Sequence, residues 1–398
     1  MRAWRVLLGS LLGLFYKGEA IESSPSLPRK EERSSSWMVF RQRVLPVHRD
    51  KRWILILHRP TYTLADSFLE MGVKVIRIYA PEHGLFGEQG AGLNVQDTIY
   101  RGIPVISLYG QRRAPAIEEL RQADAILFAL RDVGVRHYTY LSTLAYVMEA
   151  AAQADRPLWV LDFPNPHAHY AYGPLLDSAL FSFVGMYPIP LVPGLTIGEY
   201  ARLLKGERWV SNANLEVIPW EGWQRGDPLP PIQPFLTEPP SPALRTPQAI
   251  ELYPILGWYE ATLCISVGRS TDLPFEQVGI QKQYSLPFRD TMLFGYILQK
   301  REFRPSTSQH TYHGWRIKRI SSGRVNPDSL FRLGFFLLQV FSKAVPHPDS
   351  FFQRRFFDRL FGSPHLRHSL HLPIDTLYER FQSPSRWHAL REKYKIYQ

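Results

Sequence analysis

The sequence predicts an α/β fold whose first half is a doubly wound parallel sheet. Three observations carry that prediction. Near-continuous apolar runs of strand length recur between residues 52 and 163, as expected of strands buried on both faces. Segments with helical spacing separate them, the alternation of βαβ units. Polar, glycine-bearing stretches follow these runs, and in an open parallel sheet that edge is where ligands bind.

The elements follow in order. "RWILILH" (52–58) reads as a buried strand, "LADSFLEMG" (64–72) as a helix ending on Gly72, and "VKVIRIYA" (73–80) as a second strand. "VISLYG" (105–110) is a short strand, "AIEELRQAD" (116–124) a helix and "AILFAL" (125–130) a strand. "TYLSTLAYVMEAAAQAD" (139–155) is a long helix and "LWVLDF" (158–163) another strand. "LTIGEYARLLKG" (195–206) is a helix with Thr196 placed to cap it, and "LEVIPW" (215–220) is a strand. The stretch 227–247 is too rich in proline for a helix or central strand and is expected to run extended over a surface. An apolar strand is expected to run into Gly268, and the tail reads as amphipathic helix.

With 398 residues, two domains are expected, because single cores stop growing near ~250–300 residues. The boundaries expected are 39–210 for the first and 211–398 for the second, behind a polar, disordered linker over 21–38. The start, "MRAWRVLLGSLLGLFYKGEA", has Arg2 and Arg5, an apolar stretch from Val6 to Tyr16, and small residues at Gly18 and Ala20. That layout predicts a signal peptide over 1–20 and export to the periplasm or beyond. The alternative is the uncleaved start of a cytosolic protein. The apolar stretch is too short to span a bilayer. The lone cysteine, Cys264, excludes an intramolecular disulfide and a cysteine-rich metal site. The net charge is +11, yet no element interleaves clustered Lys/Arg with aromatics, so no nucleic-acid partner is expected.

Three strands deliver polar groups to the same edge. After 73–80 come Glu82 and His83; after 125–130 come Asp132, Arg136, His137, Tyr138 and Tyr140; after 158–163 come Asp162, Asn165 and His167. Each has a structural alternative. Glu82 suits a helix cap or an ion pair, Asp132 an N-cap, and Asn165 an Asx-turn. A fourth group lies at 259–279, where Glu260 precedes Gly268, Arg269 and Thr271. A glycine-flanked arginine suits an anion, or an ordinary solvated turn. The spacing of a dinucleotide loop, a P-loop and a serine-hydrolase elbow is absent. The histidine pairs lack a carboxylate at ligand spacing, so neither metal nor cofactor is expected.

Six motifs occur in order: "PEHGLFG", "DVGVRHYTYLSTL", "VLDFPNP", "GPLLD" with "FVGMYPIPL" and "GLTIGEYA", "YEAT" with "SVGRSTDLPFE", and "LREKYKIY". Together they resemble the exo-lytic β-N-acetylmuramidases of the NamZ type, from about residue 50 to the C-terminus. The resemblance implies a Rossmann-like N-terminal domain that binds no dinucleotide, a smaller C-terminal α/β domain, and a site in the cleft between them. It implies release of N-acetylmuramic acid from non-reducing ends of peptidoglycan fragments, with Glu82 as the catalytic glutamate. Glycoside cleavage needs such an acid to protonate the leaving oxygen. Asp132 and Glu260 are candidates for the second group, unless the substrate's N-acetyl substituent serves as an internal nucleophile. Arg136 or Arg269 is expected to hold the lactyl carboxylate, with His83, Tyr138, Tyr140, Asn165 and Thr271 around the sugar. The chain differs from the family's usual residues at His58-Arg59-Pro60, Ala129, Arg131, Phe163, Pro193, Ala243 and Leu263. The alternative implied by these differences is a cell-wall glycan-binding protein of impaired or altered activity.

Overall fold

The computed structural model describes residues 35–398, except 88–89, 91, 93–94, 228–237, 285, 287 and 348–349. The expected signal peptide and most of the expected linker lie outside the described residues. Residues 36–39 form a helical turn whose Trp37 ring stacks on Phe40 and Phe68.

The first sheet has seven strands: β1 (Arg52–Ile56), β2 (Lys74–Ala80), β3 (Thr98–Tyr100), β4 (Ile103–Ser107), β5 (Ala125–Phe128), β6 (Leu158–Leu161) and β7 (Leu215–Ile218). Their order is β3-β4-β2-β1-β5-β6-β7. Every pair is parallel except β3 with β4. The sheet therefore continues past residue 210 to β7. The short edge strand β3 had no apolar run to announce it. It pairs through a tight hairpin at Arg101-Gly102, both with positive φ, the geometry that matches strand twist.

Both faces of the sheet are covered, which is why its strands read as continuous apolar runs. Ile54 and Ile56 of β1, Ile126 and Phe128 of β5, and Leu158 and Val160 of β6 join one core. Their neighbours Trp53, Leu55, Leu127, Trp159 and Leu161 join the other. That is the alternation of side chains along a strand. The first core continues through the helix Tyr140–Ala154 to Trp258, Phe335 and Trp387, so the two halves of the chain share an interior.

The second sheet is antiparallel, with β8 (Ile265–Ser266), β9 (Gln277–Gln281), β10 (Thr291–Leu293), β11 (Tyr296–Phe303) and β12 (Tyr312–Arg319) in the order β10-β11-β12-β9-β8. The strand expected before Gly268 is cut to two residues, because Gly257–Ala261 turns as a 3-10 helix with Trp258 and Tyr259 fully buried. The tail forms the helices Arg354–Phe361, His365–Ser369, Ile374–Arg380 and Ser385–Tyr394. No helix among the described residues is long and apolar enough to cross a membrane.

A buried polar network ties the end of the chain to the first sheet. Asp162, just past β6, accepts hydrogen bonds from the Gly198 amide (2.8 Å), the Thr196 hydroxyl (2.6 Å) and the Tyr397 hydroxyl (2.9 Å). Thr196 and Glu199 form a reciprocal capping box on the helix Ile197–Gly206. Glu199 also accepts from the Ile396 amide at 2.7 Å and pairs with Arg225, itself 8% exposed. Removing one partner strands a buried charge. Arg225→Met is expected to lower unfolding free energy by roughly 3–5 kcal/mol in chemical denaturation. A loss below ~1 kcal/mol would show that the pair is not needed to hold the tail.

Candidate active site

The switch point of the first sheet fixes where a cleft can form. From β1 the chain runs outward through β2 and β4, then returns to β5 on the other side of β1. Loops after β1 and β5 thus diverge above the sheet's carboxyl edge, and a crevice opens there. A cavity of about 700 Å³ sits at this edge. Its walls include Glu82, His83, Tyr109, Thr139, Glu260 and Arg269.

Glu82 follows β2 and is half-buried. Its Oε1 accepts from the Gly92 amide at 3.1 Å, and its Oε2 accepts from the Thr139 hydroxyl at 3.0 Å. The Tyr109 phenol stands on the same wall; burial first, and then the Glu82 charge, push its pKa up to about 12. Tyr109 therefore stays a neutral donor. Next in the chain, His83 has φ +78 and Gly84 φ +75. A non-glycine residue in the left-handed region is strained, and such strain concentrates at functional sites. This sharp turn sets consecutive Glu82 and His83 side chains on the cavity wall.

The loop after β5 divides its residues between wall and foundation. His137, Tyr138 and Thr139 line the cavity. His137 is buried, and burial first, then the Arg136 charge, lower its pKa to about 3, so it is a neutral imidazole. Tyr138 donates to the Pro240 carbonyl at 2.9 Å. Asp132 is not on the wall. It is buried beneath it, where Oδ1 accepts from the Gly134 amide at 2.6 Å and Oδ2 has no hydrogen-bond partner among the described residues. Gly134 has φ +77, and a Cβ there would come within 2.2 Å of Asn165 Oδ1. Asn165 itself closes an Asx-turn onto the His167 amide and donates to Leu195 O at 2.8 Å.

Arg136 has a different task from the one expected. Its guanidinium is fully buried and donates to the carbonyls of Ile189 (3.2 Å), Arg359 (3.2 Å) and Leu360 (2.8 Å). It caps the C-terminal turn of the helix Arg354–Phe361, whose carbonyls carry the negative end of the helix dipole. Burial lowers its pKa to about 9, so it remains charged at neutral pH. It is unavailable to a substrate. Arg269 is also engaged: it holds both oxygens of Glu260, with Nη2–Oε2 at 3.0 Å, and stacks over the Phe275 ring at 4.8 Å. Thr271 lies outside the cavity wall and caps the Gly268 turn by donating to Gly268 O at 2.6 Å.

Several wall residues were not among the expected site residues. Phe181, Ser182, Phe183 and Val184 line the cavity from a loop, and Phe356, Arg359 and Leu360 from a helix nearly 280 positions after Glu82. Phe183 and Val184, which open the motif "FVGMYPIPL", and Thr139, between the two tyrosines already singled out, were within reach of sequence reasoning. Among the described residues no group of three His, Cys, Asp or Glu side chains could hold a metal.

Three of the positions that differ from the resemblance, His58, Arg59 and Arg131, are linked to one another directly or through Glu238. His58 Nε2 accepts from the Arg131 amide at 2.9 Å, which leaves its proton on Nδ1 facing the Tyr140 hydroxyl at 3.2 Å. Burial, then Arg131 and His83, keep this imidazole neutral. Arg131 donates to the Glu238 carbonyl at 3.0 Å, and Arg59 pairs with the Glu238 carboxylate at 3.0 Å. These residues fasten the segment 238–242 along one side of the cleft.

Residues 57–248 match the family model described as the N-terminal part of exo-β-N-acetylmuramidase NamZ, and residues 251–397 match its C-terminal part. The chain is 33% identical over 339 residues to the peptidoglycan β-N-acetylmuramidase NamZ of Bacillus subtilis (strain 168), covering 82% of this chain and 80% of that protein. Two DUF1343 family proteins of Bacteroides fragilis NCTC 9343 have similar crystal structures. One superposes with TM-score 0.74 at 27% identity, the other with 0.75 at 25%; each comparison covers 92% of this chain and 99% of the other.

The burial of Asp132 has a consequence for stability. Burial raises its pKa from 3.8 to about 7. Below the lower value the group is neutral in both states. Above it the unfolded chain releases a proton that the folded protein keeps, so the contribution to stability declines up to about pH 7. Relative to Asp132→Asn, the wild type is expected to lose up to roughly 4 kcal/mol between pH 4 and 7. Denaturation curves of the two proteins across that range check this; parallel pH dependences would contradict it.

Proposed function

The chain belongs to the exo-β-N-acetylmuramidase NamZ family, and on that premise we propose how its cleft works. The protein is an exo-acting glycoside hydrolase that releases N-acetylmuramic acid from non-reducing ends of peptidoglycan fragments. The observation that supports a catalytic centre at this edge is the Glu82 carboxyl, held on the cavity wall by the Gly92 amide and the Thr139 hydroxyl. A proton donor must be fixed against the leaving oxygen, and this anchoring restricts it to one position.

In this reading Glu82 gives its proton to the glycosidic oxygen as the C1–O bond breaks. Glu260 is committed to Arg269 and Asp132 lies below the wall. Among the described wall residues, then, no second carboxylate stands unpaired to attack C1. The substrate's N-acetyl oxygen fills that role and forms the new bond to C1. Water then attacks C1 as the bond to the N-acetyl oxygen breaks and the N-acetyl group is restored, with one water proton going to the Glu82 carboxylate and the water oxygen staying on C1 of the released sugar. The anomeric configuration is retained. Tyr138 and His83 shape the sugar site. Family membership favours hydrolysis over glycan binding alone.

The same proposal places the protein outside the cytoplasm, with residues 1–20 removed on export. The intact mass of the protein recovered from the expressing cell's envelope and medium checks this; full-length protein confined to the cytosol would contradict it.

Glu82→Gln is expected to reduce turnover of a para-nitrophenyl muramic acid glycoside at least ~10²-fold with little change in melting temperature. A better leaving group should partly restore the variant, since it needs less protonation. A destabilised variant whose turnover falls only with its folded fraction would contradict the role. Proton NMR of the first-formed product should show the β-anomer.

A further inference from the structure

N-acetylmuramic acid differs from N-acetylglucosamine by a lactyl ether that ends in a carboxylate. Both arginines expected to hold that group are occupied elsewhere, Arg136 by three carbonyls and Arg269 by Glu260. The cavity wall carries two more guanidinium groups, Arg113 and Arg359. Arg113 is exposed and rests over the Phe183 ring at 4.8 Å. In that setting water and salt screen its charge.

Arg359 is placed differently. It is half-buried in the last turn of the helix Arg354–Phe361. Its Nε is shielded from solvent and has no hydrogen-bond acceptor among the described residues. The acid of the same helix, Asp358, is taken by Arg367 in a bidentate pair at 2.6 and 2.7 Å. The Arg136 guanidinium sits under the Arg359 carbonyl and adds to the positive field without neutralising it. Arg359 is therefore a cation on the wall with a buried donor and, among the described residues, no counter-ion. Buried donors are normally satisfied; other arginines of this chain also have an Nε without a partner among the described residues, and what sets Arg359 apart is its place on the cavity wall. Beside it Phe356 is 38% exposed, and Phe181 on the facing loop is 39% exposed. Such apolar flanks suit the methyl group and ring faces of a sugar ether.

We propose that Arg359 recognises the lactyl carboxylate and so sets the preference for muramic acid. The inference rests on the hydrolase reading above. A planar guanidinium meets a carboxylate with two parallel hydrogen bonds, whereas a methyl ester offers no charge to match.

The test compares binding of N-acetylmuramic acid and its methyl ester by calorimetry. The wild type is expected to prefer the acid by about 10–100-fold, the worth of a charge-assisted hydrogen bond. Arg359→Met should bind the two within about 2-fold of each other, Arg359→Lys should keep part of the preference, and Arg113→Met should keep it. Melting curves establish that each variant is folded. A preference for the acid that survives in Arg359→Met overturns the assignment, as does equal binding of acid and ester by the wild type. If the wild type binds neither sugar and does not turn over the glycoside, the hydrolase reading falls with it.

Discussion

Everything at the cleft depends on the Arg136 guanidinium. It begins in the loop after β5 and ends on the carbonyls of Arg359 and Leu360, more than 220 residues later in the chain. Two glycines make room for it. A Cβ at Gly362 would stand 2.7 Å from Nη1, and one at Gly185 would stand 3.1 Å from Nε. Gly362 also ends the helix in the left-handed conformation at φ +103, which suits glycine because it has no Cβ. A charge buried this deeply is tolerated because helix-end carbonyls surround it. With it in place, the wall from the first half and the wall from the second keep one spacing.

The buried network around Asp162 and Glu199 does the same for the chain's end. It draws residues 396 and 397 against the first sheet and leaves Asp162 engaged by four donors. Loops carrying Glu82 and Thr139 then sit on a frame with two fixed sides. A carboxyl that must meet a glycosidic oxygen within hydrogen-bond reach needs such a frame, because small misplacements are costly to rate.

The sheet was legible because its strands are apolar on both faces, so Ile54 and Trp53 alike announce burial. The edge where polar residues collect was legible for the same reason: strand ends in a parallel sheet share one side. What each polar residue does there was not. Asp132, Arg136, Asn165 and Thr271 share the loops of the wall residues, yet they cap turns and a helix from below. Sequence spacing places a residue in a loop and does not say whether its side chain faces the cavity. Arg359 and Phe356 were illegible for another reason. They reach the site only through tertiary packing of a tail helix whose sequence reads as ordinary amphipathic helix. The resemblance implied the second α/β unit, but its antiparallel strands were not legible in the residue pattern, since β9 and β12 are interrupted by glycines at Gly279 and Gly314, where the two backbones approach closely.

The proposed mechanism requires Glu82 to meet the glycosidic oxygen in this cleft. A crystal structure of Glu82→Gln soaked with a non-reducing-end muramic acid β-glycoside tests it most directly. The glycosidic oxygen is expected within ~3 Å of the residue-82 side chain, with the lactyl carboxylate turned toward Arg359. A sugar whose glycosidic oxygen lies beside Glu260 or Asp132, or one bound outside the cleft, would contradict it.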